Sequence, residues 1–570
     1  MRLNIVKSAN AEQLYIIKSF RKEDGKSTTR IFKKLGTMAS LLPLHDNDRD
    51  KVISWAKEQA RIYTEAEKNE NMKICLELSE GRQLTFDEIN TFDGGYLFLQ
   101  KLFYDTGLAD ICDKISSGYD FKYDLAEILS NLTCSRILSP SSKLSSFEYM
   151  HSFIEKPSFS LHDIYRALDV LDRESDSIQS MLYEKSRGAR NTSVLYYDCT
   201  NFFFEIEEEK GLRKYGKSKE HRPNPIVNMG LFLDGDGIPL AFTIFSGNGN
   251  EQPTLIPLEK KILNDFRLSK FIICTDAGLA SNANRKFNSR QDRSYVVTQP
   301  LKKLKEHIRK WALDTKGFHL DNSSTEYDIS DIDEHLHKDS VFFKERWVNE
   351  DGIEQRLIVS YCPKHRMYQR EVRNRQIERA EKIIEGGKRK CRRNQNSPER
   401  FIEQLQITSD GQIAETTLMQ LNGDRILQEE QYDGFYAVCT NLEGDVNDII
   451  CINRRRWEIE DSFRLMKSEF QARPVYLQND ARIRAHFMTC FISLTLFRIL
   501  EKRLGGRYTA SEIITALRSM KFQRIQGVGY IPCYTRTAVT DSLHEAFGFR
   551  TDREIITMQN MKKILRETKR

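Results

Sequence analysis

Ser193-Val-Leu-Tyr-Tyr-Asp198, Ile226-Val-Asn-Met-Gly-Leu-Phe-Leu233, Ile238-Pro-Leu-Ala-Phe-Thr-Ile-Phe245 and Phe271-Ile-Ile-Cys-Thr-Asp276 decide the fold of this chain. Each is a short apolar run rich in β-branched and aromatic residues, the pattern of a buried strand. Asp234-Gly-Asp-Gly237 separates the second run from the third and marks a tight return, so the first three read as consecutive antiparallel strands. A helix fits Thr254 to Phe266, ahead of the fourth run. Asp198 and Asp276 stand where the first and fourth runs end.

Three strands, a helix, then a strand, with acids at strand ends, is the order of a ribonuclease-H-like α/β core. Residues 191–300 are read as its first part and 431–505 as its second, where Tyr436-Ala-Val-Cys-Thr440 supplies one more strand. Residues 301–430 interrupt it as an insertion with short strands, Ser294–Thr298 just before it and Arg356–Tyr361 within, and a basic helix after His365. On the N-terminal side, residues 91–190 carry apolar residues at helical spacing, such as Leu125, Ile128, Leu129 and Leu132. They read as an α-helical domain, either DNA-binding or a packing module. Residues 1–90 read as a small strand-rich segment with a hairpin turn at Asp24-Gly25, followed by an amphipathic helix from about Asp48 to Glu70. Residues 506–570 read as helical and a candidate dimerisation region.

Phosphodiester cleavage by two divalent metals needs about three converging carboxylates, with the ions roughly 3.5–4 Å apart. Hard cations select oxygen ligands. Asp is common wherever a strand meets a turn, so Asp198 or Asp276 alone means little. As a pair in this strand order they point to chemistry.

The helix Arg454-Arg-Arg-Trp-Glu-Ile-Glu-Asp-Ser-Phe-Arg-Leu-Met-Lys467 offers three further acids. At about 100° per residue, Arg456, Glu460 and Lys467 fall within roughly 40° of one another, while Glu458 and Asp461 lie roughly 200° and 140° from Arg456. Glu460 is therefore the acid that shares a face with two cations. That face is either a metal ligand beside two phosphate-gripping cations or an exposed Arg–Glu pair worth about 0.3–0.5 kcal/mol. Between the acids, Tyr215-Gly-Lys-Ser-Lys-Glu-His-Arg-Pro-Asn-Pro225 is a loop carrying Lys217, Lys219, His221 and Arg222. Beside a metal site it suits backbone-phosphate contacts. It lacks the glycine spacing of a nucleotide-cradling loop.

Composition bounds the remaining choices. At 570 residues, with 39% hydrophobic and 30% charged, the chain exceeds one core and predicts several domains. Eleven cysteines with no C-x-x-C pair argue for reduced thiols. The N-terminus lacks a secretory h-region and no uninterrupted apolar run reaches about 18 residues, so a cytoplasmic protein without membrane contact is expected. From Lys364 to Arg393, twelve Lys/Arg face four Glu, a local net of +8, so the rest of the chain nets −2. Such a block is either a polyanion-facing surface or a solvated helix.

Taken in order, these pieces resemble a family. Tyr197-Asp198-Cys-Thr-Asn201, Gly216-Lys-Ser-Lys-Glu-His-Arg222, Gly237-Ile-Pro-Leu240, Gly247-Asn-Gly-Asn250 with Thr254, Asp276-Ala-Gly-Leu279, Asp433-Gly-Phe435 and Arg455-Arg-Trp-Glu-Ile-Glu460 with Phe463-Arg464 and Lys467 are similar to motifs of DDE-class, cut-and-paste insertion-sequence transposases. The resemblance spans about 190–500 and points to the subgroup with a Y-R-E-K signature and a β-strand insertion before the final Glu. It implies a catalytic and metal-binding triad of Asp198, Asp276 and Glu460 holding two Mg²⁺, with Mn²⁺ as a substitute. It places the signature's Arg, Glu and Lys on Arg456, Glu460 and Lys467, and Asn453 where the family has Tyr. It further implies DNA contacts by Asn453, Arg456, Arg464, Lys467, Lys217, Lys219 and Arg222. The implied partners are transposon terminal inverted repeats and target DNA, held by a homodimer in a synaptic complex, the protein being nucleoid-associated when bound. Relatives seat a flipped base against an aromatic of the insertion; Trp311 and Trp347 are the candidates here, and neither lies in an alignable motif. Two alternatives remain at this level: a ribonuclease-H-like nuclease without strand transfer, and a catalytically inactive DNA-binding descendant.

Overall fold

The structure, a computed structural model, describes the chain except residues 9–10, 22–26, 72–80, 82, 84–85, 322, 387–395 and 408–415. The turn expected at Asp24-Gly25 and the end of the basic block lie outside the described residues. Two compact units divide the chain, Met1–Glu88 and Ile89–Arg570.

The first unit is a three-stranded antiparallel sheet, Arg2–Ser8, Ala11–Arg21 and Ser27–Thr37, followed by the helix Arg49–Asn71. Leu14 of the sheet and Val52 and Ala56 of the helix are fully buried against each other.

In the second unit, eight strands form one mixed sheet. Its order is Phe342–Glu350, Ile353–Tyr361, Phe435–Thr440, Arg293–Thr298, Phe271–Thr275, Val194–Phe203, Ile226–Leu233, Pro239–Ser246. The last three pair antiparallel, and Val194–Phe203 then pairs parallel with Phe271–Thr275, which pairs parallel with Arg293–Thr298. This is the α/β, ribonuclease-H-like arrangement expected from the strand order. Two details differ from the sequence reading. Arg293–Thr298 is itself a core strand, with Phe435–Thr440 antiparallel at its side. The hairpin Phe342–Tyr361 of the insertion pairs onto Phe435–Thr440 and extends the sheet. Without it the Phe435–Thr440 strand would present an open edge, which costs unpaired backbone groups. The insertion is thus partly continuous with the core.

Helices between Tyr96 and Arg173 pack on one side of this sheet through the helix Asp480–Arg503, while Ser175–Ser186 meets the edge strand Pro239–Ser246 directly. Phe487 and Phe491 of that helix meet Phe202 and Phe242 of the sheet at ring separations of 4.8 and 4.9 Å. The same helix is long and apolar enough to cross a membrane, with a mean hydropathy of 1.4, yet 83% of its apolar window is buried in protein. Thr489, Ser493 and Thr495 satisfy their hydroxyls on carbonyls one turn back, so no polar group is stranded there. The region after 506, read as helical, also holds strands: Lys521–Ile525, Gly529–Pro532 and Ile556–Thr557 join Thr91–Asp93 in a second sheet. Gly527 at φ +77° makes the return between the first two, a conformation that favours glycine.

On the other side of the main sheet, helix Leu255–Asp265 buries Glu259 completely. One carboxylate oxygen accepts from Asn288 Nδ2 at 2.8 Å and the other has no partner. Burial pushes this carboxyl up to about 8, against the pull of Asn288 and Arg293. The folded chain therefore keeps a proton that the unfolded chain releases near 4.5, and stability falls as pH rises between these values. Glu259→Gln is expected to remove that fall, on the order of 4 kcal/mol by pH 8. Thermal denaturation of both proteins from pH 5 to 9 checks it; parallel curves would exclude it.

Candidate active site

Asp198 and Asp276 come to the same level of the sheet through register. Val194 faces Ile272 across the parallel pair, and each acid lies four residues further along its own chain. Asp276 follows the end of its strand at Thr275, whereas Asp198 sits within Val194–Phe203, opposite Leu231 of the antiparallel neighbour. The sequence pattern alone puts Asp198 at a strand end. The strand continues because Cys199 to Phe203 keep pairing with the antiparallel side after the parallel side has stopped. One flank of Asp198 is thereby open, and Asp276 stands beside it.

Hydrogen bonds hold both acids. Asp276 Oδ1 accepts from the N–H groups of Gly278 and Leu279 at 3.0 Å each, and Asp198 Oδ1 accepts from the Cys199 N–H at 2.7 Å. Burial pushes the Asp198 carboxyl up to about 6; Lys219 pulls it down, the Asp276 charge pushes it up, and the Cys199 N–H and Arg456 pull it down.

Glu460 lies on the helix Trp457–Ser468 and is exposed, with Arg456 Nη1 at 3.1 Å from its Oε1. The helix expected to run unbroken from Arg454 is two helices, Val446–Arg454 and Trp457–Ser468, with Arg455 and Arg456 at the break. The Arg456–Glu460 pair survives it. The other two acids are occupied elsewhere: Asp461 accepts from Arg498 at 2.8 Å, and Glu458 from Arg455 at 2.9 Å. Asp198, Asp276 and Glu460 do not together form a group whose ligand atoms all lie within 4.8 Å of one another. Among the described residues, the group whose ligand atoms all lie within 4.8 Å is Asp541, His544 and Asp552, where Arg536 and Arg550 already neutralise both carboxylates.

Lys219, Arg456 and Lys467 bear on Asp198. Lys219 donates to the Cys199 carbonyl and pairs with Glu251 at 3.5 Å. Asn201 holds the Lys217–Lys219 loop, donating to the Lys217 carbonyl and accepting from the Lys219 N–H, both at 3.2 Å. Lys467 lies 3.5 Å from Glu220; burial and Lys219 push its ammonium down to about 8, against the pull of Asp198. Arg222 stacks over the Phe203 ring at 4.2 Å. Lys217 is exposed, and so is Arg464, which pairs with Asp461. Asn453 is placed differently: it is 9% exposed and accepts from Thr298 Oγ1 at 3.1 Å, tying its helix to the core strand. Sequence reasoning did not single out Glu220, which holds both Lys467 and Arg473 and so links the loop to the end of the Glu460 helix. Its place inside the loop motif was the only available signal.

The motif glycines have a packing reason. A Cβ on Gly247 would lie 2.1 Å from the Ile226 carbonyl oxygen and 2.5 Å from that of Lys214, and one on Gly216 would lie 2.1 Å from the Gly247 carbonyl oxygen. Gly247→Ala must displace Lys214 and Ile226, which bracket the Lys217–Arg222 loop, at a cost of about 1–3 kcal/mol. The expected lower Tm is accompanied by faster hydrogen exchange in residues 214–222; unchanged exchange there would contradict it.

A groove of about 660 Å³ runs beside Glu460, Asn453, Arg456 and Trp457 and reaches Tyr436, His365 and Tyr368. A family model described as "Transposase DDE domain" matches residues 201–496, more than half of the chain. The chain belongs to that family. The match to the transposase model begins just after Asp198 and contains Asp276 and Glu460. Two solved structures are similar at a low level. One is a piggyBac transposase synaptic complex with hairpin DNA, 9% identical, TM-score 0.36, covering 83% of this chain and 85% of that one. The other is a Mos1 transposase paired-end complex with the left transposon end, 12% identical, TM-score 0.14, covering 41% and 64%. Likeness this weak adds nothing to the fold or site of this transposase. No curated protein matches the chain.

Proposed function

We propose that this transposase cuts DNA at transposon ends and joins the ends to target DNA, with Asp198, Asp276 and Glu460 as its catalytic carboxylates. The observation that carries the reading is the shared level of Asp198 and Asp276 on neighbouring parallel strands, ringed by Lys219, Arg456 and Lys467. The donor set fits hard divalent ions: two carboxylates on rigid backbone, one so buried that its carboxyl is pushed up to about 6 despite Lys219 and Arg456 nearby. Asp198, Asp276 and Glu460 would hold Mg²⁺, which would activate water and stabilise the attacking and leaving oxygens.

The chain's own residues then have separable roles. Lys219 and Lys467 face the aspartates and neutralise phosphate brought to them. Arg456 keeps its Nε buried without a partner while its Nη1 holds Glu460. A phosphate entering the groove gives that guanidinium a second acceptor and frees Glu460 to turn toward the aspartates. Lys217, Arg222 and Arg464 stand further out and grip the backbone without reading sequence. Asn453, occupied by Thr298, serves the fold more than the DNA. Action as a homodimer on inverted repeats belongs to the same proposal.

A plasmid marker flanked by the DNA ends that border the gene tests the reading. Wild type is expected to excise the marker and Glu460→Ala is not. Equal excision by both would remove Glu460 from the mechanism. Purified protein that hydrolyses the ends but yields no joined product would reduce the function to a nuclease. DNA binding without any cutting would favour the inactive descendant, a reading supported by the three carboxylates not lying mutually within 4.8 Å.

A further inference from the structure

The segment that follows the Glu460 helix walls a second cavity, of about 270 Å³, lined by Arg136, Lys143, Arg473 and His486 among others. Arg136 stands in the last turn of the helix Leu125–Leu138, and Lys143 opens the helix Lys143–Met150 behind its Ser142 cap. Both cations are buried, Arg136 at 4% and Lys143 at 5% exposure. Arg136 gives its Nη groups to the carbonyls of Phe470, Gln471 and Ser141, and its Nε has no partner. Lys143 has no hydrogen-bond acceptor and no carboxylate partner among the described residues. The ionisable groups that bear on it are Arg136, a like charge, and the Cys490 thiol.

His486 supplies no counter-charge: burial beside the two cations keeps it neutral. Arg473 is paired with Glu220, which Lys467 already shares. Two buried cations without a counter-charge are costly, and a third positive element, the N-terminus of Lys143–Met150, points the same way. The cavity opens past Leu144 and Tyr476, both exposed and both in its wall.

We propose that this cavity binds a phosphate-class oxyanion, either a backbone phosphate of DNA or free inorganic phosphate, on Lys143 and Arg136. A guanidinium Nε and an ammonium are the donors such an oxyanion takes. The proposal holds whether or not the chain cuts DNA.

Thermal denaturation of the full chain tests it at pH 6, where Lys143 is charged because burial pushes its ammonium down only to about 7. Sodium phosphate replaces sodium chloride at constant ionic strength. The wild-type Tm is expected to rise saturably and that of Lys143→Met to stay flat; Lys143→Gln is the second variant if methionine prevents folding. The same phosphate response in wild type and variant would overturn the proposal, as would no response in either. Repeating the titration with saturating random-sequence duplex identifies the source. Loss of the phosphate response means a DNA phosphate fills the cavity, and Lys143→Met then lowers the slope of log K against log salt by about 0.9. A response that persists with duplex bound means the cavity takes free phosphate.

Discussion

Asp198→Asn is expected to slow DNA cleavage by roughly 10³-fold, the equivalent of about 4 kcal/mol of charge stabilisation at 1.36 kcal/mol per tenfold. The substitution keeps the size of the side chain and leaves an oxygen for the Cys199 N–H, so the sheet has no reason to move. It removes a carboxylate that burial disfavours, so the variant is expected to be at least as stable as wild type at neutral pH. It also removes negative charge beside Lys219 and Lys467, so DNA affinity holds or rises. Single-turnover cleavage, Tm and DNA binding measured on one preparation separate these effects. Cleavage within tenfold of wild type would take Asp198 out of the chemistry. A Tm drop of many degrees would mean that the loss is structural.

Arg373→Met is expected to destabilise the chain by about 3–5 kcal/mol, the usual cost of leaving one member of a buried ion pair alone. Arg373 lies on the basic helix Pro363–Glu385 and meets Asp433 through two contacts, at 2.7 and 2.6 Å, with both side chains under a tenth exposed. Removing both charges in Arg373→Met/Asp433→Leu is expected to recover most of the loss, because no charge is then stranded. Denaturant titrations of the single and double variants form the cycle. Equal stability of wild type and Arg373→Met would show that the pair is solvated. The same pair explains the Asp433-Gly-Phe435 motif: Gly434, at φ +83°, donates its N–H to Gln369 of the helix while Asp433 holds Arg373. The motif docks the basic helix beside the sheet.

That helix also shows where charge counting stops. Its block carries the positive excess of the whole chain, which the sequence left as either a polyanion-facing surface or a solvated helix. In the structure Lys364 pairs with Asp339, Arg366 with Glu334, Arg375 with Glu371, and Arg373 with Asp433. Three of these four acids lie far away in sequence, on other segments, so no local count could have found them.

The Glu460 helix shows the opposite case. Its period alone separated Glu460 from Glu458 and Asp461, and the structure gives the latter two their own arginines. The i,i+4 spacing likewise announced the Arg456–Glu460 pair. The break at Arg455 and Arg456 was not legible, because neither glycine nor proline marks it. The resemblance places Asn453 at a DNA-contacting tyrosine position; only the tertiary structure shows that its Oδ1 accepts from Thr298 across the fold.

By itself, then, the sequence determined the strand–strand–strand–helix–strand order, the two aspartates along or just past apolar strands, and which helix acid pairs with Arg456. Each of these depends on alternation or on a turn of helix, which neighbouring residues carry. Tertiary structure decided the register that levels Asp198 with Asp276, the hairpin added at the sheet edge, the bridging role of Glu220 and the buried charge of Lys143. Those depend on which distant groups exclude water from one another, and burial sets the strength and the partner of every charge involved.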